Sequence, residues 1–258
     1  MLRKGDLTQG GIITTLLQFT LPMLAGSLLQ QCYNIADTLI VGQCIGANAL
    51  AAVGSAYTLM VFLISILLGL SMGSGTVFSL QYGAGDLSAL RRSIYVSLLL
   101  IGTVTILLNV AVFLWLDPIL RWLQVPYDIY SLMRNYLWII FWGIVFTFLY
   151  NFYAALLRAV GDSVTPLWFL AVSVVLNIGL DLFLILVLDQ GIEGAAVATV
   201  IAQGTAASGI LLYTYKTRPE LRLHREDMCF DRSSLREITS FSTLTCVQQS
   251  VMNFGILM

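Results

Sequence analysis

Residues 166–188 read PLWFLAVSVVLNIGLDLFLILVL, an apolar run with a single acid, Asp181, and an asparagine, Asn177, one helical turn before it. A helix that crosses a membrane needs about 20 mostly apolar residues, so this stretch is long enough for one span. Ionisable groups inside such a span are costly and by default mark a functional site. The run therefore predicts the fold class and the first candidate site residues together.

The composition of the whole chain is typical of a membrane protein. Of its 258 residues, 58% are hydrophobic and 10% are charged, whereas soluble domains contain about 25% charged residues. With a net charge of −1 and no basic stripe, the chain has no basis for binding nucleic acid. The only histidine, His224, lies in a charged loop, and the four cysteines lack metal-ligand spacing, so a metal centre or a histidine-based triad is not expected.

Six apolar segments are long enough to cross a membrane, and a seventh begins near Phe241. The six segments are residues 13–39, 49–80, 93–116, 131–157, 165–188 and 192–215. We therefore expect an all-α protein, a polytopic transmembrane helix bundle with six complete spans plus a truncated seventh. The expected regions are a six-helix lobe (1–215), a polar inter-lobe linker (216–237) and the start of the seventh helix (238–258).

The distribution of Lys and Arg predicts the orientation, because loops rich in these residues stay in the cytoplasm. One side of the bundle carries eleven of them, and the opposite side carries two, Arg121 and Arg134. The larger set comprises Arg3, Lys4, Arg91, Arg92, Arg158 and the six Lys and Arg residues of the linker. We expect a multi-pass protein of the plasma (inner) membrane whose N-terminus and 216–237 linker are cytoplasmic.

Two acids lie within the spans, Asp37 in the first and Asp181 in the fifth. Asn177 and Asp181 are four residues apart and therefore share one helix face. The turn to the sixth span is centred near position 190, so Asp181 and Thr199 should lie at similar depth, and Asp37 lies toward the same outer side. These oxygen-bearing side chains predict a site for Na⁺ or a proton, because hard cations prefer oxygen ligands and neighbouring carboxylates can exchange a proton.

A structural interpretation of the same residues stays open at this stage. Asn177 and Thr199 could simply bond neighbouring helices, and Asp37 could face water at the mouth of the bundle. Pro22 should bend the first span or weaken its hydrogen-bond ladder, which would make the helix that carries Asp37 a moving part. An ordinary, tolerated transmembrane proline is the alternative.

The tetrapeptide at 83–86, GAGD, matches the G-x-G-D pattern of intramembrane aspartyl proteases. Such enzymes need two carboxylates close enough to share a proton. Asp86 lies at the cytoplasmic end of the second span, whereas Asp37 and Asp181 lie toward the outer side, about 20 Å away across the bilayer. A glycine-rich turn explains the tetrapeptide better, and we predict that the protein is not an enzyme.

Five motifs in one order carry a family resemblance. They are the first-span pair LP (21–22) with YNIAD (33–37), then QYGAGD (81–86), LRAVGDSVTP (157–166), NIGLD (177–181) and GIEGAAVATVIAQ (191–203). Over residues 5–258 the chain resembles the N-terminal half of a MATE (multidrug and toxic compound extrusion) transporter. The resemblance implies twelve helices in two six-helix lobes that exchange Na⁺ or H⁺, without any cofactor, for cationic or amphipathic drugs and other xenobiotics.

The resemblance also implies roles for individual residues. The family's coupling-cation site matches Asp37, Asn177, Asp181, Thr199 and Tyr136. The bending proline of the family matches Pro22, while Gln30 and Tyr33 match positions that face the substrate cavity. Asn34 lies on one helical stripe with Gln30 and joins this weaker set.

The expected partners are the lipid bilayer, small amphipathic or cationic substrates, and the missing C-terminal lobe or a second half-transporter subunit. The sequence does not choose between Na⁺ and H⁺, and substrate identity is equally open. Two alternatives remain. One is a lipid or lipid-linked oligosaccharide flippase of the same superfamily, and the other is a non-transporting, truncated membrane fragment.

Overall fold

The computed structural model describes residues 12–224, 227 and 231–257, and this part of the chain is helical, without a β-strand. Eight α-helices follow one another along it: α1 Ile12–Cys44, α2 Ala47–Gly83, α3 Leu87–Trp122, α4 Tyr127–Trp142, α5 Ile144–Ala159, α6 Val164–Leu182, α7 Gly191–Thr217 and α8 Arg232–Leu257. A π-helical turn, Phe183–Val187, extends α6, and a 3₁₀-helix, Pro219–Leu221, follows α7. The all-α prediction is confirmed.

Four of these helices, α2, α3, α6 with its π-helical turn, and α7, are long and apolar enough to cross a membrane. The pair α4 and α5, bent by 48°, makes a fifth candidate if it is one span. α1 is 33 residues long but does not meet the hydropathy criterion over its described residues. The six spans of the sequence prediction correspond in order to α1, α2, α3, the bent pair α4 and α5 taken as one span, α6 with its π-helical turn, and α7.

The outward surface of the bundle is apolar. Trp122 is 83% exposed, Val175 73% and Leu114 69%. A contiguous apolar surface of this kind is unfavourable in water, but it is the surface that a bilayer covers. The bundle therefore presents its large apolar side chains to lipid.

The core lies around α2, which packs against α3, α4, α5 and α8. Phe78 of α2 and Phe152 of α5 are fully buried, and their rings meet edge to face with centroids 5.9 Å apart. This geometry favours aromatic pairs because the positive ring edge meets the negative ring face. The core thus fixes the bent α4–α5 span against α2.

The bend between α4 and α5 occurs at Gly143 and was not predicted, because no proline marks it. A β-carbon at Gly143 would lie 2.7 Å from Cγ2 of Val200, so glycine lets α7 approach the bend closely. Asn109 of α3 donates from Nδ2 to the carbonyl oxygen of Phe141 at 3.0 Å. This bond satisfies a carbonyl at a break where the helical ladder is interrupted.

α8 packs against α2 through two glycines. A β-carbon at Gly73 would lie 2.4 Å from Cα of Ser242, and one at Gly69 would lie 2.6 Å from Cα of Cys246. The Ser242 hydroxyl donates to the carbonyl oxygen of Leu70 at 3.2 Å. Small residues that let two backbones approach are the usual means of helix association in membranes.

The polar linker predicted at 216–237 is partly helical. α7 extends to Thr217, and α8 begins at Arg232 rather than at 238. Asp231 accepts hydrogen bonds from the amides of Ser233 and Ser234 and from the Ser234 hydroxyl. The Ser234 hydroxyl, followed by the Ser233 amide, holds the pKa of the Asp231 carboxyl below its usual range. An aspartate in this position stabilises a helix start, which explains the earlier boundary.

The start of the linker is tied to the lobe by ion pairs. Arg218 is only 7% exposed, and its guanidinium lies 3.4 Å from carboxylate oxygens of Asp162 and Glu220. Arg91 of α3 donates from Nε to the carbonyl oxygen of Glu220 at 2.9 Å and lies 3.9 Å from Asp227. We call this end of the bundle the linker end.

Candidate functional site

Four helices bring polar side chains together inside the bundle, and we call these six residues the acid cluster. They are Tyr33 and Asp37 of α1, Tyr136 of α4, Asn177 and Asp181 of α6, and Thr199 of α7. Two of the pairs are spaced four apart, which places their side chains one turn apart on the same helix face. Asn177 and Asp181 are fully buried, and Thr199 is 6% exposed.

The hydroxyl of Thr199 links three helices. Its Oγ1 lies 3.4 Å from the hydroxyl oxygen of Tyr33 and accepts a bond from Nδ2 of Asn177 at 3.4 Å. The sequence placed Thr199 level with Asp181, but its partner on α6 is Asn177, one turn away. The π-helical turn moves the midpoint of the α6–α7 hairpin, so residues 177 and 199 are equidistant from Leu188.

Asp37 and Asp181 lie next to each other and interact as a pair. Four buried acceptor oxygens find no hydrogen-bond donor among the described residues: Asp37 Oδ1, both carboxylate oxygens of Asp181, and Oδ1 of Asn177. Ionised carboxylates only accept hydrogen bonds, so neither acid can satisfy the other until a proton is added. Buried, unpaired charges cost several kcal/mol each, and a bound cation or proton would remove that cost.

Tyr136 borders the two acids from α4. It is 4% exposed and lies close enough to Asp37, Asp181 and Tyr33 to interact electrostatically with all three. Its ring belongs to the main hydrophobic core, so the packing of α4 fixes its position. The structure thus brings together all five residues that the resemblance assigned to the cation site.

The three predicted substrate-cavity residues lie within about one turn of α1 and differ in their exposure. Gln30 is exposed. Asn34 is half-buried and donates from Nδ2 to Oε1 of Gln31 at 3.1 Å. The hydroxyl oxygen of Tyr33 lies 3.4 Å from Oγ1 of Thr199, so Tyr33 also belongs to the acid cluster, and the cavity role of the three residues stays a prediction.

Pro22 lies inside α1, and the helix continues through it. The helix around this proline packs loosely: Leu21 is 60% exposed, Leu24 56% and Leu28 68%. A helix held by few buried contacts opens or moves at low cost. The role of Pro22 as a bending point stays a prediction.

Four other acids near the helix ends have local partners. Asp86 accepts from the Ala89 amide and the Ser88 hydroxyl, Asp117 pairs with Arg134 and Tyr130, Asp162 with Thr165 and Arg218, and Glu193 with Asn135. The Ala89 amide, followed by the Ser88 hydroxyl, holds the pKa of the Asp86 carboxyl below its usual range. Asp86 thus serves as the N-cap of α3, which accounts for the GAGD motif without proteolytic chemistry.

Two polar residues beside the cluster were missed by the sequence analysis. Thr147 of α5 donates from its hydroxyl to Oε1 of Gln203 on α7. Gln203 is four residues after Thr199, so the helical period could have placed it on the same face. Thr147 gives no such signal, because its proximity depends on the unpredicted bend at Gly143.

The comparisons with known proteins agree with this fold. Residues 22–183 match the family model named MatE. The chain is 37% identical over 82% of its length to the probable multidrug resistance protein YpnP of Bacillus subtilis and covers 47% of that protein. It is 33% identical over 84% of its length to YoeA of the same organism, a probable multidrug resistance protein of which it covers 46%. It is 28% identical over 94% of its length to the multidrug export protein MepA of Staphylococcus aureus and covers 54% of that protein.

Solved structures show the same fold at lower identity. A MOP superfamily transporter from Pyrococcus furiosus superposes with a TM-score of 0.90 at 23% identity, over 98% of this chain and 56% of that chain. An outward-facing MATE family transporter gives a TM-score of 0.89 over 98% of this chain and 55% of that chain. An inward-facing MATE family transporter gives a TM-score of 0.81 over 87% of this chain and 51% of that chain. The chain spans about half the length of the relatives it matches.

Proposed function

Because this chain belongs to the MATE family of membrane transporters, we propose that it forms the ion-binding half of a multidrug efflux antiporter driven by Na⁺ or H⁺. The observation that carries the proposal is a set of four buried acceptor oxygens, on Asp37, Asn177 and Asp181, that have no donor within the part of the chain that the structure describes. Such a set is costly when empty and favourable around a cation or a proton. The relatives named as multidrug resistance and export proteins support drugs as the substrate class. That these drugs are cationic or amphipathic is what the family resemblance implies.

The acid cluster supports a simple coupling mechanism. When both acids are ionised, the two carboxylates repel each other and the site attracts cations. A bound Na⁺ or proton cancels one of the two negative charges and so removes this repulsion. Asp37 and Tyr33 lie on the loosely packed α1, whereas Asp181, Asn177 and Thr199 lie on α6 and α7. A ligand that binds one arrangement of these helices more tightly than another shifts the population toward it. In our proposal, ion binding draws α1 toward α6 and α7 and weakens the binding of the cationic drug.

The orientation is part of the proposal. The Lys and Arg residues at the linker end favour a cytoplasmic linker and place the acid cluster toward the outer side of the plasma membrane. Ions would then enter from outside, where they are driven inward, and the drug would leave outward.

Ion binding can be tested on the 258-residue chain itself, because all six cluster residues lie within it. We expect the purified chain to bind Na⁺, or to take up protons with competition by Na⁺, at fixed pH. Asp37→Asn or Asp181→Asn should weaken this binding at least about tenfold, because a unit charge at about 4 Å is worth roughly 1–4 kcal/mol. Asp189→Asn, at an exposed acid on the α6–α7 turn, is the matched control and should bind normally.

Transport needs the complete two-lobed protein. There, both cluster variants should abolish ion-dependent ethidium efflux while expression stays normal. Unchanged efflux in both variants would contradict the proposal. Normal ethidium levels in a knockout that accumulates lipid intermediates would favour the flippase alternative instead.

A further inference from the structure

A small cavity adjoins the acid cluster at the bend between α4 and α5. Its volume is about 20 Å³, and three polar side chains line it: Thr147, Thr199 and Gln203. The remaining wall is apolar and includes Phe141 and Val200. Thr199 therefore contacts the cavity as well as the acid cluster, while Gln203 lies one turn further along α7 toward the linker end.

The cavity meets the physical requirements for one buried water molecule. A water needs about 10–15 Å³ and two to four polar partners, and a purely apolar cavity of similar size stays dry. Thr199 and Thr147 offer hydroxyl groups, and Gln203 offers an amide whose Oε1 already accepts from Thr147. Phe141, on the wall, is only 1% exposed, so the space is closed to bulk solvent at that side.

We propose that this cavity binds one water molecule, held by Thr147, Thr199 and Gln203. In this proposal the water site is also the first binding site that the coupling ion reaches when it leaves the acid cluster toward the linker end. The transport role rests on the proposed function, but the water site does not. An ion that leaves Asp37 and Asp181 toward the linker end would otherwise meet apolar core, where it has no oxygen ligands.

The neighbouring side chains extend the polar path in the same direction. Asn151 lies one turn beyond Thr147 on α5 and donates from Nδ2 to the Thr147 carbonyl oxygen at 2.8 Å. A proton could pass along hydrogen-bonded water and hydroxyl groups, and Na⁺ could exchange carboxylate oxygens for water, hydroxyl and amide oxygens. Either ion uses the same three side chains, so the water site does not depend on which ion is coupled.

The water site can be tested on the chain itself by X-ray radiolytic labelling, in which bound water generates hydroxyl radicals that oxidise adjacent side chains. Phe141 lines the cavity, whereas the equally buried Phe152 does not, so Phe152 is the internal control. We expect oxidation of Phe141 and none of Phe152. The double variant Thr147→Val with Gln203→Leu removes two of the three polar partners at similar volume and leaves the water only Thr199, so it should abolish the labelling of Phe141.

Two results of this labelling would overturn the proposal. One is that Phe141 is labelled no faster than Phe152, which would mean a dry cavity. The other is labelling of Phe141 in the double variant at the original rate, which would mean that these side chains do not hold the water. Neither result depends on transport, so the water site can fail while the antiporter proposal stands.

The transport role is tested with Gln203→Leu in the complete protein. We expect ion-driven efflux to slow by about tenfold, the effect of losing a buried hydrogen-bonding partner, while ion affinity at the acid cluster stays within about twofold. Thr205→Val removes an exposed α7 hydroxyl that bonds only its own helix and should leave both quantities unchanged. If wild-type efflux is ion-driven and Gln203→Leu transports at the wild-type rate, the water site is not a binding site for the ion.

Discussion

At the scale of single residues, the carboxylates of the acid cluster that would bind an ion also lower the stability of the folded protein. Asp181 is fully buried, and neither of its carboxylate oxygens has a donor among the described residues. Replacing a buried, unpaired carboxylate commonly increases stability. Such a carboxylate is therefore expected where binding requires it. The same oxygens that attract an ion therefore destabilise the ion-free protein.

This cost predicts the effect of Asp181→Asn on stability. The amide removes the negative charge and brings an N–H donor beside Asp37, so the ion-free chain should become more stable by roughly 1–3 kcal/mol. We expect its thermal midpoint in detergent to rise by a few degrees and to become insensitive to Na⁺. Asp189→Asn, at an exposed acid, should leave the midpoint unchanged; a fall in the midpoint of Asp181→Asn would show that the carboxylate has a partner in the folded chain.

Much of the acid cluster could be predicted residue by residue. Helical spacing placed Asn177 and Asp181 on one face, and counting from the turn placed Thr199 near their depth. The pairing of Thr199 with Asn177 could not be predicted, because the sequence does not show that a π-helical turn extends α6 before the turn to α7. The contact between Tyr33 and Thr199 could not be predicted either, because spacing along one helix does not show which neighbouring helix a side chain meets.

At the scale of elements, the bend at Gly143 determines how α4, α5 and α7 meet. It places Tyr136 on one side of the break and Thr147 on the other, with Val200 packed against it. The bend could not be predicted from the sequence, since glycine is frequent in membrane helices and does not by itself mark a bend. The long helices themselves were predictable, because their apolar length is set by the membrane.

The contact at this bend predicts that Gly143→Ala displaces α7. The new β-carbon would lie 2.7 Å from Cγ2 of Val200, so one of the two helices must shift, and Thr199 is the neighbour of Val200. We expect a lower thermal midpoint and weaker ion binding in the purified chain. The double variant Gly143→Ala with Val200→Ala removes the clashing methyl and should recover most of both losses; equal damage in the single and double variants would place the cause elsewhere.

The seam between α2 and α8 predicts a contrast between two glycines of the same helix. Gly73→Ala would place a methyl 2.4 Å from Cα of Ser242, and backbone atoms cannot rotate away, so α8 should separate from α2. Gly54→Ala meets nothing within 4 Å and should stabilise α2 by up to about 1 kcal/mol. The rate at which Cys246 reacts with a thiol reagent measures the separation, in a background that carries Cys32→Ser, Cys44→Ser and Cys229→Ser. Equal reactivity in both glycine variants would contradict close packing at Gly73.

At the scale of the whole molecule, the ion pairs at the linker end decide how firmly the connection out of the lobe is held. The sequence identified this region as polar, but charge alone does not distinguish a solvated linker from one that is folded onto the lobe. The pairing of Arg218 with Asp162 shows that its first residues are held against the α5–α6 turn. α8, on the far side of the linker, is anchored separately on α2.

This arrangement predicts that Arg218→Met releases the start of the linker. Arg218 is 7% exposed and pairs with Asp162 and Glu220, so its loss leaves Asp162 without its cation and costs roughly 1–3 kcal/mol locally. We expect Glu-specific proteolysis at Glu220 to accelerate several-fold, whereas ion binding at the distant acid cluster stays unchanged. Arg222→Met, which removes a half-exposed arginine stacked on Tyr215, is the control and should accelerate cleavage much less. Similar acceleration in both variants would mean that the buried pair does not hold the linker.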